Sequence, residues 1–422
     1  MNRIRLLAVL AGLVAVGPVP LPAQDTLLTR LLIANRYPLT LEEGRLAGQG
    51  GRWLVEQGNG ARFFLVGEEH GVGPMPGLVE ALLRELRPAG YNTFAIEVSP
   101  LQGARLDALA RAPNSGAALD SLLTSWFTMI PFYSLAEERK LLASAMAPHG
   151  GLPAMRIWGL DYDISADRMY LRELEKLAPP GGRATVQRAR ELADSGFAHF
   201  VANRDPSRAF AWSAPDSVFA ALRAAFGNKP TGRAAKIIDV FERTARINRL
   251  FLSGRGYESN LDRSAFLRQN FAAELGAAEA AGQRPRVLFK FGGSHMMRGF
   301  NYTHTLDIGT AAAVAAEARG ERSFGLLVLG GTGTRTARMV ITKGQYEPVG
   351  TAEIDGVNYA WLRPALPESG WVVFDMREVR LAYLSRRGQP LTAIQDRFFH
   401  AYDAIVVLTG STPATNIPIQ LR

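Results

Sequence analysis

Glu68, Glu69 and His70 stand together between Gly67 and Gly71, directly after the apolar run Phe63-Phe64-Leu65-Val66. Imidazole is the side chain whose unperturbed pKa lies nearest neutrality, so it can take a proton from water and return it to a leaving group. A carboxylate beside it fixes the ring's tautomer and stabilises its charged form. The 422 residues contain six histidines, and one other, His295 in Gly292-Gly293-Ser294-His295, also follows an apolar run. Glu97 closes a third run, Thr93-Phe94-Ala95-Ile96, and Asp161 follows a fourth, Met155 to Leu160.

These residues suit hydrolysis by activated water. His70 is the expected base, Glu68 and Glu97 the orienting or electrostatic groups, and His295 a second acid or base. Glu69, Asp161 and Arg298 are the expected substrate-binding groups, with Arg298 placed to neutralise an oxyanion or carboxylate. Asp161 and Asp163 also suit caps for a following helix. If a metal is held, its expected ligands are His70, Glu68, Glu97 and His295. The chain has no Gly-x-Ser-x-Gly elbow, no Walker loop and no His-Glu-x-x-His pair, and it has no cysteine. A covalent serine or thiol mechanism is thereby disfavoured.

Positioning these groups requires strands that deliver polar ends to one place. Seven apolar runs end in glycine, an acid, histidine or a hydroxyl residue, the later ones being Phe324 to Leu329, Trp371 to Phe374 and Ala404 to Leu408. Leu78, Leu82, Leu83 and Leu86 fall at helical spacing between the first two runs, and Pro88-Ala89-Gly90 ends that helix. Strand, helix, strand within about 35 residues reads as a right-handed βαβ unit, which makes the first two strands parallel and adjacent. The fold class expected is α/β: a mostly parallel central sheet flanked by helices, with ligands at the carboxy-terminal strand edge. Residues 181–282 are rich in alanine and arginine, and Ile237, Val240, Phe241, Ile247, Leu250 and Phe251 follow a helical rhythm. A helical insertion or lid is expected there.

Met1-Asn2-Arg3-Ile4-Arg5, the apolar run Leu6 to Val16 and Pro20-Leu21-Pro22-Ala23 read as a signal peptide over residues 1–23. The run is shorter than the roughly 20 residues of a spanning helix. The mature chain, 24–422, is then expected outside the bacterial cytoplasm, periplasmic or secreted, with no stable membrane span. Loss of Arg3 and Arg5 lowers the net charge from +9 to +7. The arginines are scattered and not interleaved with aromatics, so a small-molecule substrate is expected and nucleic acid is not. Oligomeric state is not legible.

The order of these motifs resembles the erythromycin esterase family, within a wider group of ChaN-like haem-binding and Tiki/TraB-like proteins. Gly67-Glu68-Glu69-His70-Gly71 is similar to the family's Gly-Glu-Ala-Thr-His-Gly, one residue shorter. Phe94-Ala95-Ile96-Glu97, Gly159-Leu160-Asp161, Asp262-Arg263 to Asn270, and Tyr402-Asp403-Ala404-Ile405 to Thr415 resemble its later elements. Gly292-Gly293-Ser294-His295 stands where the family has His-Asn-x-His. The resemblance covers nearly the whole mature chain and implies an ester- or lactone-cleaving hydrolase that needs no cofactor. Its first-motif histidine, here His70, is then the general base, assisted by His295. The wider group implies two alternatives: a haem- or metal-binding protein, or a metal-dependent hydrolase.

Overall fold

A computed structural model describes residues 26–113, 115–125, 130, 132–203, 205–340, 345–386 and 390–417. The expected signal peptide lies outside the described residues. Among the described residues eleven strands are formed: β1 (Arg36–Glu42), β2 (Arg45–Ala47), β3 (Phe63–Glu68), β4 (Tyr91–Ile96), β5 (Arg156–Gly159), β6 (Arg286–Gly292), β7 (Ser323–Gly330), β8 (Arg335–Val340), β9 (Gln345–Thr351), β10 (Trp371–Asp375) and β11 (Ala404–Leu408). Nine make the central sheet in the order β2-β1-β10-β11-β7-β3-β6-β4-β5, while β8 and β9 pair as a separate hairpin. From β11 to β5 all pairings are parallel, and β10, β1 and β2 add an antiparallel flank. The sheet is thus mostly parallel, with helices on both faces.

Alternation along the strands explains the two layers. Phe64 and Val66 of β3 and Leu288 of β6 enter one apolar cluster, while Phe63, Leu65, Val287, Phe289 and Phe291 enter the other. Successive side chains on a strand point to opposite faces, so a run that is apolar at every position demands cover on both sides. The helix Met75–Leu86 supplies it on the first face, burying Leu78, Leu82, Leu83 and Leu86. The helices Gly256–Ala280 and Ile308–Glu317 supply it on the second. Full burial of each such side chain contributes roughly 1.5–3 kcal/mol.

Two expectations about the sheet are corrected. β3 and β4 are parallel but not neighbours, because β6 lies between them and pairs with both. A crossover of this length can skip one strand position, and β6, buried on both faces from Val287 to Gly292, fills the place between. β10 runs against its neighbours, so Asp375 is carried to the opposite edge. There it accepts the backbone N–H of Arg377 and caps the helix Met376–Ser385.

Between β5 and β6 the chain is helical, including Asp167–Leu177, Arg183–Asn203, Gly232–Leu252 and Gly256–Ala280. Gly232–Leu252 carries the rhythm read from Ile237 to Phe251 and packs with Gly256–Ala280 beside the β5 end of the sheet, where Thr244 accepts the Asp163 backbone N–H. Among the described residues no helix is long and apolar enough to cross a membrane.

Candidate active site

The carboxy-terminal ends of β3, β6, β4 and β5 open into a cleft of about 370 Å³ lined by Glu68, His70, Glu97, Asp161, Arg263, His295 and Glu353. Placing β6 between β3 and β4 brings His295 beside His70. Gly71 has φ +81°, and a Cβ there would sit 1.9 Å from the Ala337 carbonyl oxygen; glycine alone permits that turn.

Each imidazole is anchored through Nδ1. His70 Nδ1 lies 2.7 Å from Glu68 Oε1, and His295 Nδ1 lies 2.9 Å from Asp307 Oδ2. A neutral ring in either place carries its proton on Nδ1 and leaves Nε2 as the acceptor. Both Nε2 atoms turn towards the Glu97 carboxylate, at 3.7 Å from Oε2 for His70 and 3.6 Å from Oε1 for His295. Glu97 also accepts the Gly292 backbone N–H at 2.7 Å and a guanidinium N–H of Arg263 at 2.9 Å. Gly292 leaves room for this convergence, since a Cβ there would lie 2.8 Å from His70 Nε2.

Burial works against the charged form of His70, yet the Glu68 hydrogen bond and the Glu97 and Glu68 charges raise its pKa above the ordinary value. His295 is raised too: burial and the Arg263 charge lower it, and the Asp307 and Glu97 carboxylates together outweigh them. Burial alone would push Glu97 up, but His295, His70 and Arg263 hold it down at about 2. Glu97 is therefore an anion throughout the working range.

Behind His70 sits a buried charge chain. Lys290 of β6, 3% exposed, pairs with Glu68 Oε2 at 2.7 Å and donates to Glu138 Oε1 at 2.9 Å. Burial opposes the Glu68 charge, but Lys290 and His70 keep its pKa below the ordinary value. Glu138, with Lys290 as its counterweight, is pushed up by burial to about 7. The His70 ring stacks on Phe132 at 4.0 Å between centroids. Phe132 has φ +69°, an uncommon conformation for a bulky residue, and its backbone N–H is held by the Tyr346 hydroxyl at 2.7 Å.

His70, Glu68, Glu97, His295 and Asp161 are thus brought to one cleft. Asp161 is gripped by Arg263, whose Nε donates to Oδ1 at 2.9 Å and whose Nη2 reaches Oδ2. Asp163 accepts the backbone N–H groups of Ser165 and Ala166, a loop-capping role. Two expected substrate-binding residues are placed elsewhere. Arg298 makes a bidentate pair with Asp403, which also accepts the Gly325 backbone N–H. Glu69 points away from the cleft floor and accepts the backbone N–H groups of Gly330 and Glu353. Arg263 entered only through the resemblance, and Lys290 stands in the apolar run before Gly292. A lone lysine inside Val287-Leu288-Phe289-Lys290-Phe291 is a signal in its own right, because a buried ammonium needs partners. Glu138, Asp307 and Glu353 carry no such local mark.

The four residues expected around a metal do not share one centre, for Glu68 lies behind His70 and is engaged by it and by Lys290. A different trio, Glu97, Asp161 and His295, offers ligand atoms within 4.8 Å of one another. The Arg263 guanidinium already spans Glu97 and Asp161 there.

No protein-family model matches the sequence, and no curated protein matches it significantly. Solved structures do share its fold. An erythromycin esterase, the EreC protein crystallised as a mutant in its open conformation, aligns with a TM-score of 0.62 and 14% identity over 91% of this chain and 99% of that one. A protein from Bacillus cereus aligns with a TM-score of 0.57 and 14% identity over 94% and 100%. A succinoglycan biosynthesis protein aligns with a TM-score of 0.56 and 12% identity over 93% and 98%. At such identities the likeness is one of fold.

Proposed function

We propose that this is an exported hydrolase that cleaves an ester or lactone in a small-molecule substrate by attack of activated water. The observation that carries the reading is the double anchoring: two imidazoles, each tied through Nδ1 to a buried carboxylate, with both Nε2 atoms converging on Glu97. In this reading His70 Nε2 removes a proton from the attacking water. Glu68 holds the ring and stabilises its cation, and Glu97 supplies the fixed negative charge that favours two protonatable rings beside it. His295 serves as the second acid or base. General base catalysis of this kind contributes on the order of 10²–10⁴-fold. The structural likeness to an erythromycin esterase supports the hydrolase class and leaves the substrate open.

A panel of esters and lactones is the test. Turnover that disappears in a folded His70→Ala variant supports the reading, and a wild type inert on the whole panel sinks it.

The closeness of Glu97, Asp161 and His295 favours a second reading, a divalent-metal hydrolase. It requires Arg263 to swing away, and it predicts that a chelator eliminates turnover. The haem-binding alternative is separated by titrating the protein with haemin and following absorbance.

A further inference from the structure

One carboxyl of the cleft stands apart from the others. Glu68 is engaged by His70 and Lys290, Glu97 by Gly292 and Arg263, Asp161 by Arg263, and Asp163 by Ser99 at 2.6 Å. Among the described residues no hydrogen bond or ion pair engages the side chain of Glu353, which lines the same cleft. A carboxyl presented to a cleft without a partner is free to give up or receive a proton there.

Its position is built. Glu353 opens the short turn Glu353–Asp355 after β9, and its backbone N–H donates to Glu69 Oε1 at 2.8 Å. The other Glu69 oxygen accepts the Gly330 N–H at the end of β7 at 2.9 Å. Ile354 is fully buried and its carbonyl accepts Arg363 Nε at 2.8 Å. Consecutive residues of one turn therefore do two jobs: Glu68 fixes the His70 ring, and Glu69 fixes the backbone from which Glu353 hangs. Along the sheet edge Glu353 lies on the β7 side of His70, whereas Glu97, His295 and Asp161 lie on the β6, β4 and β5 side. A base and an acid acting on opposite sides of a scissile carbonyl need such an arrangement, and His295 converges on the same carboxylate as His70.

Resting on the proposed hydrolase reading, we infer that Glu353 is the catalytic acid, protonating the leaving alcohol while His70 activates water. His70 Nε2 takes one proton of water as its oxygen bonds to the carbonyl carbon. The tetrahedral intermediate collapses, the bond from carbon to the leaving oxygen breaks, and the Glu353 carboxyl gives its proton to that oxygen. Acid and alcohol depart, and the proton on His70 returns to Glu353 through solvent. Glu353 keeps an exposed side chain at the cleft mouth; the protein around it limits its solvation and raises its pKa above the ordinary value, while His70 and Arg338 pull the other way.

Leaving-group dependence tests this. An aryl ester with an acidic phenol needs no proton on departure, and an alkyl ester does. Glu353→Gln is expected to lower kcat/KM for the alkyl ester by on the order of 10²-fold or more and to leave the aryl ester nearly unchanged. Asp355→Asn, in the same turn, controls for disturbance of the loop and should alter neither rate. Equal effects of Glu353→Gln on both esters, or none on the alkyl ester, overturn the assignment of Glu353 while leaving the hydrolase reading intact. A wild type that cleaves neither ester removes both. Circular dichroism and a thermal melt establish that the variant is folded before its rates are compared.

Discussion

Replacing Glu68 by Gln removes one negative charge 2.7 Å from His70 Nδ1 and keeps the side chain's shape. An opposite charge within about 4–6 Å shifts a pKa by about 1–3 units, and one unit corresponds to about 1.4 kcal/mol. Glu97 remains 3.7 Å from Nε2 and retains part of the cation's stabilisation. Lys290 works in the other direction, because with Glu68 neutral only Glu138 offsets it. The His70 pKa should therefore fall by about 1–3 units from its raised native value. The sign follows directly: His70 acts as a base only when neutral, so the acid limb of kcat/KM moves to lower pH by the same amount. The plateau drops as well, on the order of 10²-fold, because the glutamine amide can donate to Nδ1 and leave the proton on Nε2, the wrong tautomer. The stability linkage has the same origin. A raised native His70 pKa stabilises the fold below pH about 6.5 and loses that contribution as pH rises through the native pKa, so Glu68→Gln should flatten this dependence. Proton–carbon NMR titration of the six histidine rings, with His70 assigned from its alanine variant, reads the shift without any substrate. An unchanged or higher His70 pKa in Glu68→Gln would refute the reasoning.

Gly292→Ala puts a Cβ 2.8 Å from His70 Nε2; turnover should fall at least tenfold, which takes about 1.4 kcal/mol of lost transition-state stabilisation, and a crystal structure should show the ring displaced. Glu97 titrates near 2 in the fold against an ordinary 4.5, so it stabilises the protein above pH 4.5 and loses that contribution as pH falls towards 2. Acid unfolding of Glu97→Gln should lack this component, of order 3 kcal/mol at 1.36 kcal/mol per unit, and an identical acid transition in both proteins would count against the charge cluster. Arg298→Ala breaks the pair with the buried Asp403 and should cost about 1–3 kcal/mol in urea unfolding with little change in KM. A large rise in KM would return Arg298 to the substrate.

Legibility in the sequence followed the range of each interaction. The apolar runs Phe63 to Val66 and Ala404 to Leu408 predicted strands because burial on both faces leaves no polar position, and the polar residues after them marked the edge where His70 and His295 lie. Strand order was beyond reach: nothing local says that β6, which begins 190 residues after β4 ends, comes between β3 and β4. The direction of β10 was hidden for the same reason, since its connection to β11 through two helices can return the chain either way. Arg298 and Glu69 looked like site residues by their neighbours in sequence, but their partners, Asp403 and the backbone of Gly330 and Glu353, are distant. Glu353 itself is placed by those partners and has no pattern around it.

The direct test of the account is kcat/KM for an ester or lactone that the wild type cleaves, measured for wild type and folded His70→Ala with chelator present throughout. Water activation by His70 predicts full wild-type activity under chelation and a loss on the order of 10²–10⁴-fold in the variant. Activity that survives His70→Ala, or that the chelator removes from the wild type, would contradict it.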